Sequence, residues 1–136
     1  MLWGLYLKIK VMNKICTSIE QSKKLIELGL DVNTADMFWD TAEPEERRTP
    51  IIGSISDYDD MEDWAVPAWS LSALLNMLSE KSHSIDEDGT VNLSSYKNIE
   101  WNCGLINTGD LEESTSSNPV DACVKMILKL HELKML

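Results

Sequence analysis

The residues best suited to chemistry in this sequence form a run of carboxylates near its middle, followed closely by two tryptophans. Carboxylate oxygens are ligands for hard divalent cations, and acids beside aromatic rings can also bind a basic protein or another cationic group. The alternatives are a solvated loop for the acids and core packing for the rings. We interpret the whole set as a candidate interaction surface: Asp57, Asp59, Asp60, Glu62, Asp63, Trp64 and Trp69.

The cysteines and histidines form no recognisable catalytic or metal-binding pattern. Cys16, Cys103 and Cys123 contain no Cys-x-x-Cys spacing, so the sequence predicts reduced, mostly buried thiols in a reducing compartment. His83 is expected in an exposed polar stretch after a helix, and His131 is expected partly buried in another helix. Cys123 and His131 would lie about 12 Å apart along that helix, too far for proton transfer. We therefore predict no catalytic, cofactor-binding or metal-binding residues.

Two short segments resemble binding motifs but lack the residues that define them. Residues 84–95, SIDEDGTVNLSS, are similar to an EF-hand calcium loop, yet Ser84 and Ser95 occupy the two end positions where carboxylates are needed. The segment KKLIELGLDVNTAD is similar to the end of an ankyrin repeat, but no second copy occurs about 33 residues away. A turn at Asp88-Gly89 that opens a hairpin and a helix ended by Gly29 explain the two segments more simply.

The charge is strongly and unevenly acidic. Twelve Lys and Arg face 23 Asp and Glu among 136 residues, which gives a net charge of −11. Residues 31–63 carry eleven acids against two arginines, a net charge of −9. Such a chain repels phosphate, so we expect no direct binding of nucleic acid. No stretch approaches the roughly 18 apolar residues that a membrane span requires, so we also expect no membrane insertion.

Hydrophobic spacing and capping residues predict three helices. The first begins at a capping box, Thr17-Ser18-Ile19-Glu20, and ends at Gly29. The second follows Ser70, with leucines on one face at positions 71, 74, 75 and 78. The third begins at Asn118-Pro119, and its buried stripe is expected to comprise Val120, Cys123, Val124, Ile127 and Leu130.

Short extended segments separate these helices. Strands are expected within residues 32–39 and at residues 51–52 of an otherwise irregular stretch, and a hairpin within residues 91–93 and 99–106. Helices mixed with antiparallel strands predict an α+β fold of three helices packed on a small, mainly antiparallel sheet. We expect residues 12–136 to form a single domain, and residues 1–11 to be an extension from an upstream start codon or an edge strand.

Three blocks of this chain carry a resemblance: SIEQSKKLIELGLDVNTADMFW, VPAWSLSALLNML and SNPVDACVKMILKLHEL. They resemble blocks shared by short proteins of gut Bacteroidetes and their prophages, a group without an assigned activity. The resemblance implies a cytoplasmic protein, carried by a phage or another mobile element. It implies no catalytic residues, and it does not extend to residues 1–11, 40–63 or 79–117.

The sequence favours a small acidic, non-enzymatic protein that acts as an accessory or interaction factor with a basic protein partner. One alternative is a small-molecule-binding protein or small enzyme whose pocket is assembled from dispersed residues. Another alternative is an inhibitor that mimics nucleic acid through its acidic surface. No cofactor is expected, and the sequence does not predict the oligomeric state.

Overall fold

The computed structural model describes residues 14–53, 64–85, 89–96, 100–107 and 110–134. These residues form two compact units. One unit is Cys16–Ala73, and the other comprises the described residues of Leu74–Leu136 together with Lys14 and Ile15. The described residues contain three α-helices and two antiparallel three-stranded sheets. The predicted α+β class is therefore confirmed, with two sheets where one was expected.

Helix α1, Ile19–Glu27, opens the first unit. Its capping box is one residue further along than predicted, because Ser18 is the N-cap and Gln21 provides the reciprocal side chain. Thr17, the predicted cap, is instead fully buried. Gly29 follows the helix with a φ of +97°, a left-handed conformation that glycine adopts without strain. The predicted end of the helix is thus confirmed.

The first sheet has the strand order β2-β1-β3, with β1 at Met37–Asp40, β2 at Pro50–Ile52 and β3 at Ala65–Ala68. Phe38 lies opposite Ile51 on one side and Pro67 on the other, and both pairings are antiparallel. The predicted strand at residues 51–52 is confirmed. The expected strand at residues 32–39 is shorter than predicted, because a 3-10 turn occupies Val32–Thr34. A second 3-10 turn, Glu45–Arg47, lies between β1 and β2.

Helix α2, Leu71–Ile85, follows the predicted cap. The Ser70 hydroxyl accepts a hydrogen bond from the Ala73 N–H over 3.2 Å, and the Asp36 carboxylate accepts bonds from the Ser70 N–H and hydroxyl. Leu74 and Leu78 are fully buried, as the leucine spacing predicts. The helix extends through residue 83, so the prediction that His83 follows the helix is wrong.

The second sheet has the order β4-β5-β6, with β4 at Thr90–Tyr96, β5 at Glu100–Asn107 and β6 at Asp110–Ser116. Strands β4 and β5 form the predicted hairpin, in which Leu93 lies opposite Cys103. Strand β6 was not predicted. Helix α3, Pro119–Glu132, packs on β5 and β6 within this unit.

Helix α3 begins where its capping residues predict. The Asn118 side-chain oxygen accepts from the Asp121 N–H over 2.9 Å, and Pro119 occupies the first helical position. The predicted stripe is buried, and Ala122 and Met126 widen it. Among the described residues, no helix is both long and apolar enough to cross a membrane.

Candidate functional site

The acidic part of the candidate surface, Asp57 to Asp63, lies outside the described residues, but both of its anchor points are described. Before the acids, the Gly53 N–H donates to the Asp36 carbonyl over 3.0 Å. After them, the Trp64 carbonyl accepts from the Thr41 N–H over 2.8 Å. Asp36 precedes β1 and Thr41 follows it, so the anchors lie at opposite ends of that strand, about 17 Å apart at 3.4 Å per residue.

Trp64 lies at the second anchor point and is partly exposed. Its ring packs edge-on against Phe38, with centroids 6.2 Å apart and planes at 75°. Edge-to-face packing fixes the orientation of an aromatic ring while leaving part of it accessible. The Thr41 hydroxyl also donates to the Trp64 carbonyl over 2.8 Å. These contacts fix the orientation of Trp64, which follows Asp63 directly in the sequence.

Trp69 is not part of an accessible surface, so its inclusion in the candidate surface is wrong. The residue is fully buried. Its indole N–H donates to the Thr34 hydroxyl over 2.9 Å, and its backbone N–H donates to the Thr17 hydroxyl over 3.0 Å. The Thr17 N–H in turn donates to the Trp69 carbonyl over 3.0 Å. Trp69 thus ties the start of α1 to the end of β3, a structural role.

The described residues add an apolar element that the sequence interpretation did not include. Ile51 and Ile52 of strand β2 are 40% and 84% exposed. Among the described strands, β2 pairs only with β1, so it is an edge of its sheet. Three exposed acids, Glu43, Glu45 and Glu46, lie in the connection that precedes it. The signal available in the sequence was a pair of β-branched residues between Pro50 and Gly53, which predicted the strand but not its exposure.

The environment of His131 differs from the one predicted. His131 is exposed, whereas partial burial was predicted from its place near the buried stripe. The reason is that α3 ends at Glu132, and all described residues from His131 to Lys134 are exposed. Cys123, by contrast, is fully buried, so the two side chains occupy different environments.

The cysteines are buried and form no disulfide, as predicted. The structure adds a contact that their spacing did not indicate, because the thiols of Cys103 and Cys123 are hydrogen-bonded to each other. This bond lowers the pKa of Cys103, against the opposing effect of burial. The same bond, together with burial, raises the pKa of Cys123 well above its ordinary range.

Nothing among the described residues assembles a metal site, since they contain no group of three or more His, Cys, Asp or Glu side chains suited to one. The segment that resembles an EF-hand calcium loop, residues 84–95, lies partly within the described residues. Its residues 90–95 belong to strand β4, as the hairpin interpretation predicts.

Comparison of the chain with protein-family models, curated proteins and solved structures found no match.

Proposed function

We propose that this protein is a non-enzymatic interaction factor that binds a basic protein partner through its first unit. The contact surface comprises the acidic run, Trp64 and the exposed edge of strand β2. The observation that carries the proposal is the exposure of Ile51 and Ile52 on an edge strand, with exposed acids in the adjoining connection. An apolar centre with charged surroundings is the usual composition of a protein–protein interface.

The charge distribution supports a basic partner. Residues 31–63 carry a net charge of −9, and most of the chain's excess negative charge lies in this segment. A surface of one sign accelerates encounters with an oppositely charged partner, and the effect weakens as salt screens it. Ile51 would then supply a short-range apolar contact, because it lies on the same face of the sheet as Phe38, against which Trp64 packs.

The resemblance to proteins of gut Bacteroidetes and their prophages supports a role as a cytoplasmic accessory factor of a phage or mobile element. Such a factor would act on a host protein rather than on a metabolite. The fully buried position of Trp69 is compatible with this role, because it removes one of the aromatic groups that a ligand pocket would have used.

A pull-down with three forms of the protein from host lysate tests the proposal. The first bait is the wild type, and the second has its acidic run neutralised. The substitutions in the second bait are Asp57→Asn, Asp59→Asn, Asp60→Asn, Glu62→Gln and Asp63→Asn. The third bait is a matched control in which five exposed glutamates elsewhere are replaced by glutamine. These control positions are Glu20, Glu80, Glu100, Glu113 and Glu132.

The proposal predicts a stoichiometric basic protein on the wild type and on the control, and its loss from the neutralised variant. Equal retention on all three baits would show that the acidic run is not the contact. A small molecule retained by the wild type without any protein would contradict the proposal and favour a ligand-binding function. Mass spectrometry of the eluted proteins and of the released small molecules reads out both cases.

A further inference from the structure

The side chains of Cys103 and Cys123 meet where helix α3 lies on its sheet. Cys103 lies directly opposite Ser114 in the pairing of β5 with β6, and directly opposed residues share one face of a sheet. The Ser114 hydroxyl donates to the Ala122 carbonyl of α3 over 2.6 Å. The face that carries Cys103 is therefore the face that α3 covers, one residue before Cys123.

Small side chains allow α3 to approach this sheet closely. Ser114, Ala122 and the two cysteines occupy the contact, and both cysteines and Ala122 are fully buried. Two hydrogen bonds to the backbone also hold the helix on the sheet. The side-chain amines of Lys125 and Lys129 donate them to backbone carbonyls of β6 over 2.9 and 3.0 Å. Each thiol also shifts the pKa of the other, as expected for two side chains that are neighbours within this contact.

We propose that Cys103 and Cys123 are the site of a reversible intramolecular disulfide, which forms by exchange with a small-molecule disulfide such as oxidised glutathione. One cysteine thiolate attacks a sulfur of the small disulfide and expels one thiolate from it, leaving a mixed disulfide on the protein. The second cysteine thiolate then attacks the protein sulfur and expels the second small thiolate. Two protein thiols are oxidised by two electrons, one small disulfide is reduced, and the released protons end on the two small thiols.

The exchange requires both sulfur atoms to become accessible. Both sulfurs are buried, so the exchange proceeds through local opening of α3 from the sheet. Closure of the disulfide afterwards fixes the helix to β5.

The test is equilibration of the folded wild type with mixtures of reduced and oxidised glutathione, followed by acid quenching, alkylation in denaturant and peptide mass mapping. The same equilibration in concentrated urea is the reference for the unfolded chain. A native contact should favour the Cys103–Cys123 disulfide at least about tenfold more in the folded protein than in the unfolded chain. The oxidised protein should also melt roughly 10 °C higher than the reduced protein.

Cys16→Ala is the matched control, since Cys16 lies in the other unit and should leave this disulfide unchanged. The single variants Cys103→Ala and Cys123→Ala should form no intramolecular disulfide. The proposal is overturned if the folded wild type favours the disulfide no more than the unfolded chain does, or if the disulfide formed contains Cys16. The comparison of folded with unfolded wild type does not depend on whether any variant folds.

Discussion

Replacing Thr17 by valine should destabilise the first unit more than its small change in volume suggests. The Thr17 hydroxyl is fully buried and makes two hydrogen bonds, accepting from the Trp69 backbone N–H over 3.0 Å and sharing a 2.8 Å bond with the Ser22 hydroxyl. Valine preserves the shape but removes both bonds. An orphaned buried polar group costs roughly 1–3 kcal/mol, so two orphaned partners should cost about 3 kcal/mol in total.

Urea unfolding followed by tryptophan fluorescence and far-UV circular dichroism measures this cost. With a denaturant dependence near 2 kcal/mol/M, a loss of about 3 kcal/mol lowers the urea midpoint by about 1.5 M. Adding Ser22→Ala to Thr17→Val should restore about 1 kcal/mol, because one of the two orphaned groups is then absent. This recovery distinguishes a lost hydrogen bond from a general packing defect.

Thr41→Val is the matched control for this prediction. The Thr41 hydroxyl also makes a 2.8 Å bond, to the Trp64 carbonyl, but that carbonyl still accepts from the Thr41 N–H after the substitution. No group is orphaned, so the cost should stay below about 1 kcal/mol. Equal costs for Thr17→Val and Thr41→Val would refute the argument that the buried network around Trp69 stabilises this unit.

Three further predictions concern the second unit. Above about pH 9.5, the free energy of unfolding of the wild type should fall more steeply with pH than that of Cys103→Ala/Cys123→Ala, by about 1.4 kcal/mol per pH unit. In that range the unfolded chain releases both thiol protons, whereas the folded pair keeps the one on Cys123. Parallel pH profiles in urea unfolding would contradict this. Asn118→Ala should cost about 1–2 kcal/mol in the same assay. Asn118→Asp should cost no less, because aspartate can still accept from the Asp121 N–H but replaces the amide that donates to the Asp121 carboxylate over 2.7 Å with a second negative charge. Lys14→Met should cost no more than about 1 kcal/mol, with a loss that shrinks in high salt, because the 2.7 Å ion pair of Lys14 with Asp121 leaves these side chains 25% and 26% exposed.

The helices were predictable because their signals are local. Asn118 and Pro119 specify the start of α3 through a side-chain cap and a fixed φ, and both are read directly from neighbouring positions. The capping box of α1 was misplaced by one residue, because Thr17 and Ser18 are both suitable caps. Which of them caps the helix depends on Trp69, 52 positions away, whose N–H engages the Thr17 hydroxyl.

The strands that were missed lack any local signal. Strand β3 is Ala-Val-Pro-Ala, with a proline that usually disfavours strands, and β6 is a polar segment rich in Asp, Glu and Ser. Both form because an adjacent strand supplies hydrogen-bond partners, β1 for one and β5 for the other. The division of six strands into two sheets likewise depends on pairings between distant residues, which periodicity does not reveal.

The candidate site was only partly predictable for the same reason. Trp64 and Trp69 look alike in sequence, since each flanks the same apolar segment, but only Trp64 is partly exposed. The exposure of Ile52 follows from its place on an edge strand, which requires the sheet order. The contact of Cys103 with Cys123 depends on the register of β5 and β6, for which a separation of 20 residues gives no indication.

The most direct test of the proposed function is the association rate of the protein with its captured partner, measured at several salt concentrations. The variant for this measurement is the triple charge reversal Asp59→Lys, Asp60→Lys and Asp63→Lys. If the acidic run steers a basic partner, the reversal should lower the association rate constant at low salt at least about tenfold and flatten its dependence on salt. An unchanged rate constant with an unchanged salt dependence would contradict the proposed role of this surface.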